Sequence, residues 1–205
     1  MSTYIRISTR PPIKQSRIVS TLRSQIVNRE LTAGSQLPTR SELEKHFQVS
    51  AATIQRAIDH LVNEGFVWAR GSKGTFVVDH PPHQSRFALV FPQSPLSDKS
   101  LRFWMALYNE AMRVGQAANC ELSVYCVNDP DHEDAQNDEY RKLLRHAQSH
   151  RLAGIIFATP PYPLAGSALL KIPDMPRVAI TTGRTVEGVS SIRLDSQSFL
   201  DKALD

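Results

Sequence analysis

Apolar positions recur at helical spacing three times in the first eighty residues and at strand spacing after that. From Gln15 to Leu31 the apolar set Ile18, Leu22 and Ile26, with Val19 beside them, marks one face of a first helix, which Ala33-Gly34 terminates. Pro38 is a stop signal. Thr39 follows it with Glu42 three residues on, the spacing of a capping box, and Leu43 and Phe47 then share one face of a second helix. The Gln48-Val49-Ser50 break supplies another N-cap at Ser50 for a third helix running to about Glu64. Its apolar stripe is Ile54, Ala57, Ile58, Leu61 and Val62, which leaves Ala51, Ala52, Gln55, Arg56, Asp59 and Asn63 turned outward. Gly65 ends it. Phe66 to Arg70 and Thr75 to Val78 are β-branched and aromatic runs around Gly71-Ser72-Lys73-Gly74, a hairpin with glycines where positive φ is needed.

The pattern changes beyond residue 80. His80-Pro81-Pro82-His83-Gln84-Ser85 carries no periodicity and is stiffened by two prolines, so residues 80–86 read as a linker. After it, Phe87 to Phe91, Leu122 to Val127, Gly154 to Ala158, Arg177 to Thr181 and Ser191 to Leu194 are strand candidates. Helical stretches at Phe103 to Ala118, Asp131 to His150 and, shorter, Leu164 to Lys171 separate them. Apolar strands alternating with helices imply a parallel sheet covered on both faces, with ligands gathering at the carboxyl ends of the strands. The loops after Phe91, Val127, Ala158 and Thr181 are then the rim of any site. The chain is expected to be an α/β multidomain protein. It divides into an irregular arm (1–14), a winged helix-turn-helix (15–79), a linker (80–86) and a partial doubly wound parallel α/β lobe (87–205).

Charge sharpens this reading. Residues 1–80 hold 11 Lys+Arg against 6 Asp+Glu and residues 81–205 hold 13 against 14, so the net charge of +4 lies wholly in the first segment. That asymmetry is the footprint of a polyanion-binding module joined to a neutral one. Periodicity alone equally fits a small helical domain whose basic residues merely solvate its surface. A helix, a short turn, a second helix with small and polar residues at its exposed start, and a basic-tipped hairpin suit a major groove with a wing on the backbone. Arg6, Arg10 and Lys14 in the arm are placed to touch phosphates, although a frayed basic terminus is the commoner outcome. No run approaches the roughly 20 apolar residues of a membrane span, and the N-terminus lacks a signal-peptide core, which points to the cytoplasm. Cys120 and Cys126 match no metal or redox spacing and read as free thiols, and His80 and His83 as solvated linker residues. Residues 81–205 show no phosphate loop, triad spacing or carboxylate pair; Asp129, Asp131, Glu133 and Asp134 read as a solvated helix start. No enzyme activity, cofactor or metal is implied.

The ordered segments IVSTLRSQIVNREL, TAGSQLPTRSELEKHF, VSAATIQRAIDHLVNEGF and GSKGTFV over residues 18–78 resemble the GntR-type winged helix-turn-helix of bacterial transcription regulators. The resemblance implies DNA contacts from the starts of the second and third helices and from the wing. By motif position these are Thr39, Arg40 and Ser41; Ser50, Ala51, Ala52, Thr53 and Gln55; and Ser72, Lys73 and Gly74. Many members have arginine where this chain has Ser41 and Ala51; Arg40 and Arg56 are the neighbouring cations that stand in. FALVFP, Phe103-Trp104, NEAMRVGQAANCELSVYCVN, RLAGIIFATP, PRVAITT and SSIRLDS resemble the first lobe of the sugar-sensing domain of lactose-repressor-type regulators and type I periplasmic binding proteins. This implies effector contacts at Ser94, Phe103, Trp104, Thr182 and Asp195. Phe103 and Trp104 fit equally as core residues at a helix start. The chain departs from that pattern in having no Asn-Pro before the aromatic pair, Thr182 where aspartate is common and Ser196 where asparagine is usual. A winged helix joined to such a lobe is similar to the arabinose-repressor branch of the GntR family. The two-lobed sensor of that branch needs roughly 250 residues, so the second lobe is expected to be absent. The implied function is a sequence-specific repressor, a homodimer on a double-stranded DNA operator, controlled in its full-length form by a small ligand such as a sugar. The alternative is a truncated, ligand-independent DNA binder with a non-functional sensor lobe.

Overall fold

A computed structural model describes residues 13–97, 102–127, 135–181 and 183–195. The chain divides into two compact units, Met1–Pro82 and His83–Asp205.

In the first unit, α1 (Ile13–Val27), α2 (Arg40–Phe47) and α3 (Ala51–Glu64) precede a hairpin of β1 (Val67–Ala69) and β2 (Thr75–Val77). The predicted stripe of α1 is the core: Ile18, Leu22 and Ile26 are buried together with Leu37, Leu43, Ile54, Ala57, Ile58, Leu61, Phe66 and Val77. The boundaries of α1 differ from expectation. It begins at Ile13, so Lys14 is helical and not part of an arm. It stops at Val27, where Arg29 turns into the left-handed region (φ 63°) and Leu31 donates back to the Gln25 carbonyl at 3.0 Å. Gly34 does not cap it; with φ 73° it donates to the Val77 carbonyl at 3.1 Å. The stretch after Gly34 thus runs beside the hairpin, Gln36 bridging Phe76 and Leu37 donating to the Thr75 carbonyl at 2.8 Å.

Helix α3 is turned slightly from the predicted face. Val62 is 37% exposed, whereas Glu64 is buried at 6%. The buried positions 54, 57, 58 and 61 continue to 64 at helical spacing, and position 62 falls about 100° away from 61. Glu64 is tolerated there because Arg23 of α1 donates a hydrogen bond to it and His60 lies 3.3 Å away. The Arg23 guanidinium also sits 5.6 Å above the Phe66 ring.

At the junction, Pro82–Ser85 forms one helical turn (α4) inside the predicted linker, and Arg86 already belongs to the next strand. The second unit contains β3 (Arg86–Phe91), α5 (Arg102–Ala117), β4 (Glu121–Cys126), α6 (Ala135–Gln148), β5 (Gly154–Phe157), β6 (Arg177–Thr181) and β7 (Ser190–Arg193). Its strands form one parallel sheet in the order β4-β3-β5-β6-β7. Alternation along β3 sends Leu89 and Phe91 to one face, where Trp104, Leu107 and Tyr108 of α5 cover them. Ala88 and Val90 face the other way, into a core with Tyr125, Ile155, Phe157 and Leu143 and Ala147 of α6. The helix expected at Leu164 to Lys171 is absent. One 3₁₀ turn (Tyr162–Leu164) follows Pro160 and Pro161, and Gly166 at φ 77° then breaks the helical path. The loop still buries Leu164 and Leu169, and the Arg177 guanidinium donates to the Leu169 and Ile172 carbonyls. Partial burial of that guanidinium lowers its pKa.

Candidate nucleic-acid interface

Both helix starts in the first unit are built by local sequence. At α2 the capping box is complete: Thr39 donates from its backbone to Glu42 Oε2 at 2.7 Å, and Glu42 N–H returns to Thr39 Oγ1 at 3.4 Å. The Thr39 hydroxyl, which donates to the same Glu42 Oε2 at 2.7 Å, and then the Thr39 backbone N–H hold the Glu42 carboxyl below its usual pKa, with Lys45 adding a smaller pull. The cap leaves Thr39, Arg40 and Ser41 exposed. Gln48 then adopts φ 51° and turns the chain into α3.

Ser50 occupies the N-cap of α3 but makes no side-chain cap; its hydroxyl lies 3.1 Å from Thr53 Oγ1. The leading amides of α3 are therefore not neutralised by a capping side chain, and the positive end of the helix dipole is presented outward. Ala51, Ala52 and Arg56 are exposed, and Thr53 and Gln55 half-exposed. Gln55 Nε2 donates to Asp59 Oδ1 at 2.6 Å while its Oε1 has no partner, which fixes the amide along the helix. With alanines on its first turn, α3 presents nothing bulky at its tip, as close approach to base edges requires.

The wing is braced against the segment that leads into α2. Gln36 Nε2 donates to the Lys73 carbonyl at 3.0 Å, tying the hairpin tip to the strand-like segment just before Thr39. Gly74 has φ 104°, which favours glycine, and a Cβ there would lie 2.5 Å from that Gln36 nitrogen and displace the amide from its bond to Lys73. Ser72 and Lys73 are exposed on the Gly71–Lys73 turn. Sequence reasoning missed Gln36, whose role depends on a long-range contact. It also passed over Arg70, whose guanidinium stacks 3.7 Å above the Trp68 ring and 5.2 Å from Phe76. A signal existed there: Trp68 pairs with Phe76 across the hairpin, and Arg70 falls two residues on, on the same face.

The second unit carries a pocket of about 310 Å³ at the carboxyl ends of β3, β4 and β5, lined by Phe91, Pro92, Val127, Phe157, Thr159 and Tyr162 among others. It stands where adjacent strands β3 and β5 lead to opposite faces, the usual ligand position in open parallel sheets. Of the residues singled out by resemblance, Ser94, Phe103, Trp104 and Asp195 do not line it. Ser94 is exposed and its hydroxyl accepts from Leu96 N–H at 3.4 Å. Phe103 is 45% exposed on α5, whereas Trp104 packs edge-on against Phe91 at 6.5 Å. Asp195 is exposed beyond β7, and Thr182 lies outside the described residues, as do Arg6, Arg10, Asp129, Asp131, Glu133, Asp134 and Ser196. Among the described residues no group of three or more His, Cys, Asp or Glu is placed to hold a metal ion, and no helix is long and apolar enough to cross a membrane.

Three helices with a braced hairpin, preceding a parallel α/β unit, define a winged helix-turn-helix protein with an appended domain. Residues 14–77 match the family model for bacterial regulatory proteins, gntR family, so the first unit is a GntR-family DNA-binding domain. The chain is similar to the HTH-type transcriptional repressor NagR of Bacillus subtilis (strain 168), 38% identical over 61 residues, which cover 30% of this chain and 25% of that protein. It is also similar to the mannosyl-D-glycerate transport/metabolism system repressor MngR of Escherichia coli (strain K12), 32% identical over 40% of this chain and 35% of MngR. A third relative is the arabinose metabolism transcriptional repressor of Halalkalibacterium halodurans, 33% identical over 32% of this chain and 18% of that protein. The chain thus spans between 18% and 35% of the length of these relatives.

Proposed function

We propose that this chain is a sequence-specific DNA-binding transcription regulator, a repressor that acts in the cytoplasm as a homodimer on a double-stranded operator and answers to a small ligand such as a sugar. The observation that carries the DNA half is the exposed, uncapped leading turn of α3, flanked by the capped start of α2 and the wing. In this reading Arg40, Gln55 and Arg56 reach base edges and neighbouring phosphates. Thr39, Ser41, Ser50, Ala51, Ala52 and Thr53 set the close fit, and Ser72, Lys73 and Gly74 hold the backbone. Pairing two copies supplies the contacts that one small unit lacks for operator selectivity.

The ligand half is supported by the pocket at the strand ends and by relatives named for mannosyl-D-glycerate and arabinose metabolism. Ser94, Phe103 and Asp195 are spread outside the pocket lining, so a contact from them requires a ligand that extends beyond it.

The test is an electrophoretic shift of the full chain on its own promoter region, repeated across salt and with pentoses, hexoses and their derivatives. Arg40→Ala or Gln55→Ala is expected to weaken operator binding by about 1–3 kcal/mol and relax selectivity. Lys73→Ala is expected to weaken all duplexes alike. Retained selectivity in both of the first two variants overturns the proposed orientation of α3.

A further inference from the structure

The spacing of contacts between α1 and α3 fixes their relative direction. Gln15 meets the Arg56 carbonyl and Arg23 meets Glu64, each pair separated by 41 residues. The helices therefore run the same way, and their N-terminal ends lie at the same end of the first unit. At that end a groove of about 370 Å³ opens beside the turn into α3. Lys14 and Arg17 line it from α1, and His46 and Gln48 from the close of α2, with Ile18 and Phe47 supplying apolar lining. Lys14, Arg17, His46 and Gln48 are all exposed. Among the described residues no carboxylate lines the groove, and neither Lys14 nor Arg17 is in an ion pair.

Such an arrangement is unfavourable in isolation. Like charges three residues apart on a helix repel, and the positive dipole ends of α1 and α3 add to the same field. An anion seated in the groove relieves both. A helix with its side chains is about 10–12 Å across and the major groove about 12 Å wide, so an entering helix has sugar-phosphate backbone close along its flanks. We infer that this groove is a seat for a backbone phosphate of bound DNA, with Lys14 and Arg17 as its cations and His46 and Gln48 as further donors. The inference rests on the DNA-binding reading above and extends it to the groove between α1 and the close of α2.

The test uses the full chain, fluorescence anisotropy and two labelled duplexes of about 30 base pairs, one of mixed sequence and one from the chain's promoter region, over a salt series. The variant K14Q/R17Q keeps good helix formers at exposed positions. The control R29Q removes a cation from the opposite end of α1 and leaves the backbone conformation there unchanged. One phosphate contact accounts for about 0.9 in the slope of log affinity against log salt. K14Q/R17Q is expected to flatten that slope by about 0.9 on both duplexes, equivalent to losing roughly 3.5-fold less affinity than wild type between about 50 and about 200 mM salt. R29Q is expected to leave it unchanged. An unaltered slope in K14Q/R17Q, or an equal change in R29Q, overturns the phosphate seat while DNA binding itself stands. Inorganic phosphate raising the melting temperature of wild type but not of K14Q/R17Q, with no change in the duplex slope, also overturns it in favour of a free-anion site. Wild type that binds neither duplex at low salt overturns the DNA-binding reading on which the inference rests.

Discussion

Replacing Arg23 by methionine tests what holds α1 along α3. Arg23 and Glu64 have side-chain exposures of only 12% and 8%, and their hydrogen bond, with His60 at 3.3 Å, keeps a carboxylate inside the core of the first unit. Removing one partner of a buried pair leaves the other charge under-compensated, here with His60 still beside it, at a cost of about 3–5 kcal/mol. The loss of the guanidinium over Phe66 adds about 0.5–1 kcal/mol. For a unit of this size each kcal/mol moves the melting temperature by roughly 4–8 °C, so Arg23→Met is expected to lower the first unit's transition by at least about 12 °C. Replacing both residues, Arg23→Met with Glu64→Leu, removes the buried charge as well as its partner and is expected to recover most of that loss. Scanning calorimetry of the full chain and its three variants closes the cycle. A drop of less than about 4 °C in Arg23→Met, or a double variant no more stable than the two single losses combined, would refute the argument that the pair is what permits a charge at position 64.

Other predictions follow from the same geometry. Gly74→Ala combines a left-handed backbone with displacement of the Gln36 amide; it is expected to destabilise the wing by about 1–3 kcal/mol and to weaken binding to every duplex, read by denaturant unfolding and anisotropy. His146 has its pKa lowered to about 4, first by burial and then by Arg151, Lys142, Arg86 and Arg145, and its Nδ1 lies 2.6 Å from the Tyr125 hydroxyl. Because the folded value lies below the ordinary 6.5, its stabilising contribution is complete above about pH 6.5 and is lost as pH falls toward about 4. The second unit's melting temperature is expected to fall through that window, by an amount equivalent to about 1–2 kcal/mol after solvent screening, and His146→Phe to flatten the fall. For Glu42 the lowered pKa means that the capping box persists at neutral pH and is lost as pH drops through that value. Amide exchange at the first turn of α2 is expected to speed up there, and Glu42→Gln to blunt the pH dependence.

The elements that short-range pattern determines were legible in the chain itself. Thr39 and Glu42, three residues apart, announce a box that forms with both of its hydrogen bonds, and Gly71 and Gly74 take the positive φ that the hairpin requires. The continuous apolar run Phe87 to Phe91 likewise foretells strand β3 between two covered faces. What pattern could not reveal depends on distant partners. Glu64 looks like an exposed helix end until Arg23 is brought against it, and Val62 looks like core until the rotation of α3 is known. Leu164 to Lys171 has helical spacing, but Gly166 and the Arg177 guanidinium hold it as a packed loop. Lys14 reads as part of a frayed arm until α1 is seen to begin at Ile13, and Trp104 reads equally as ligand contact or core until Phe91 is found against it. The helix starts that form the candidate interface were therefore visible, while the braces of the wing and the groove beside α3 were not.

Hydrogen exchange of the full chain, measured with and without a promoter duplex, tests most directly whether the outer side of α3 meets DNA. The account predicts protection at residues 39–41, 50–56 and 72–74, strongest at the leading amides of α3, which no side chain caps. Protection confined to residues 83–205, with residues 50–56 exchanging as freely as in the unbound protein, would contradict it.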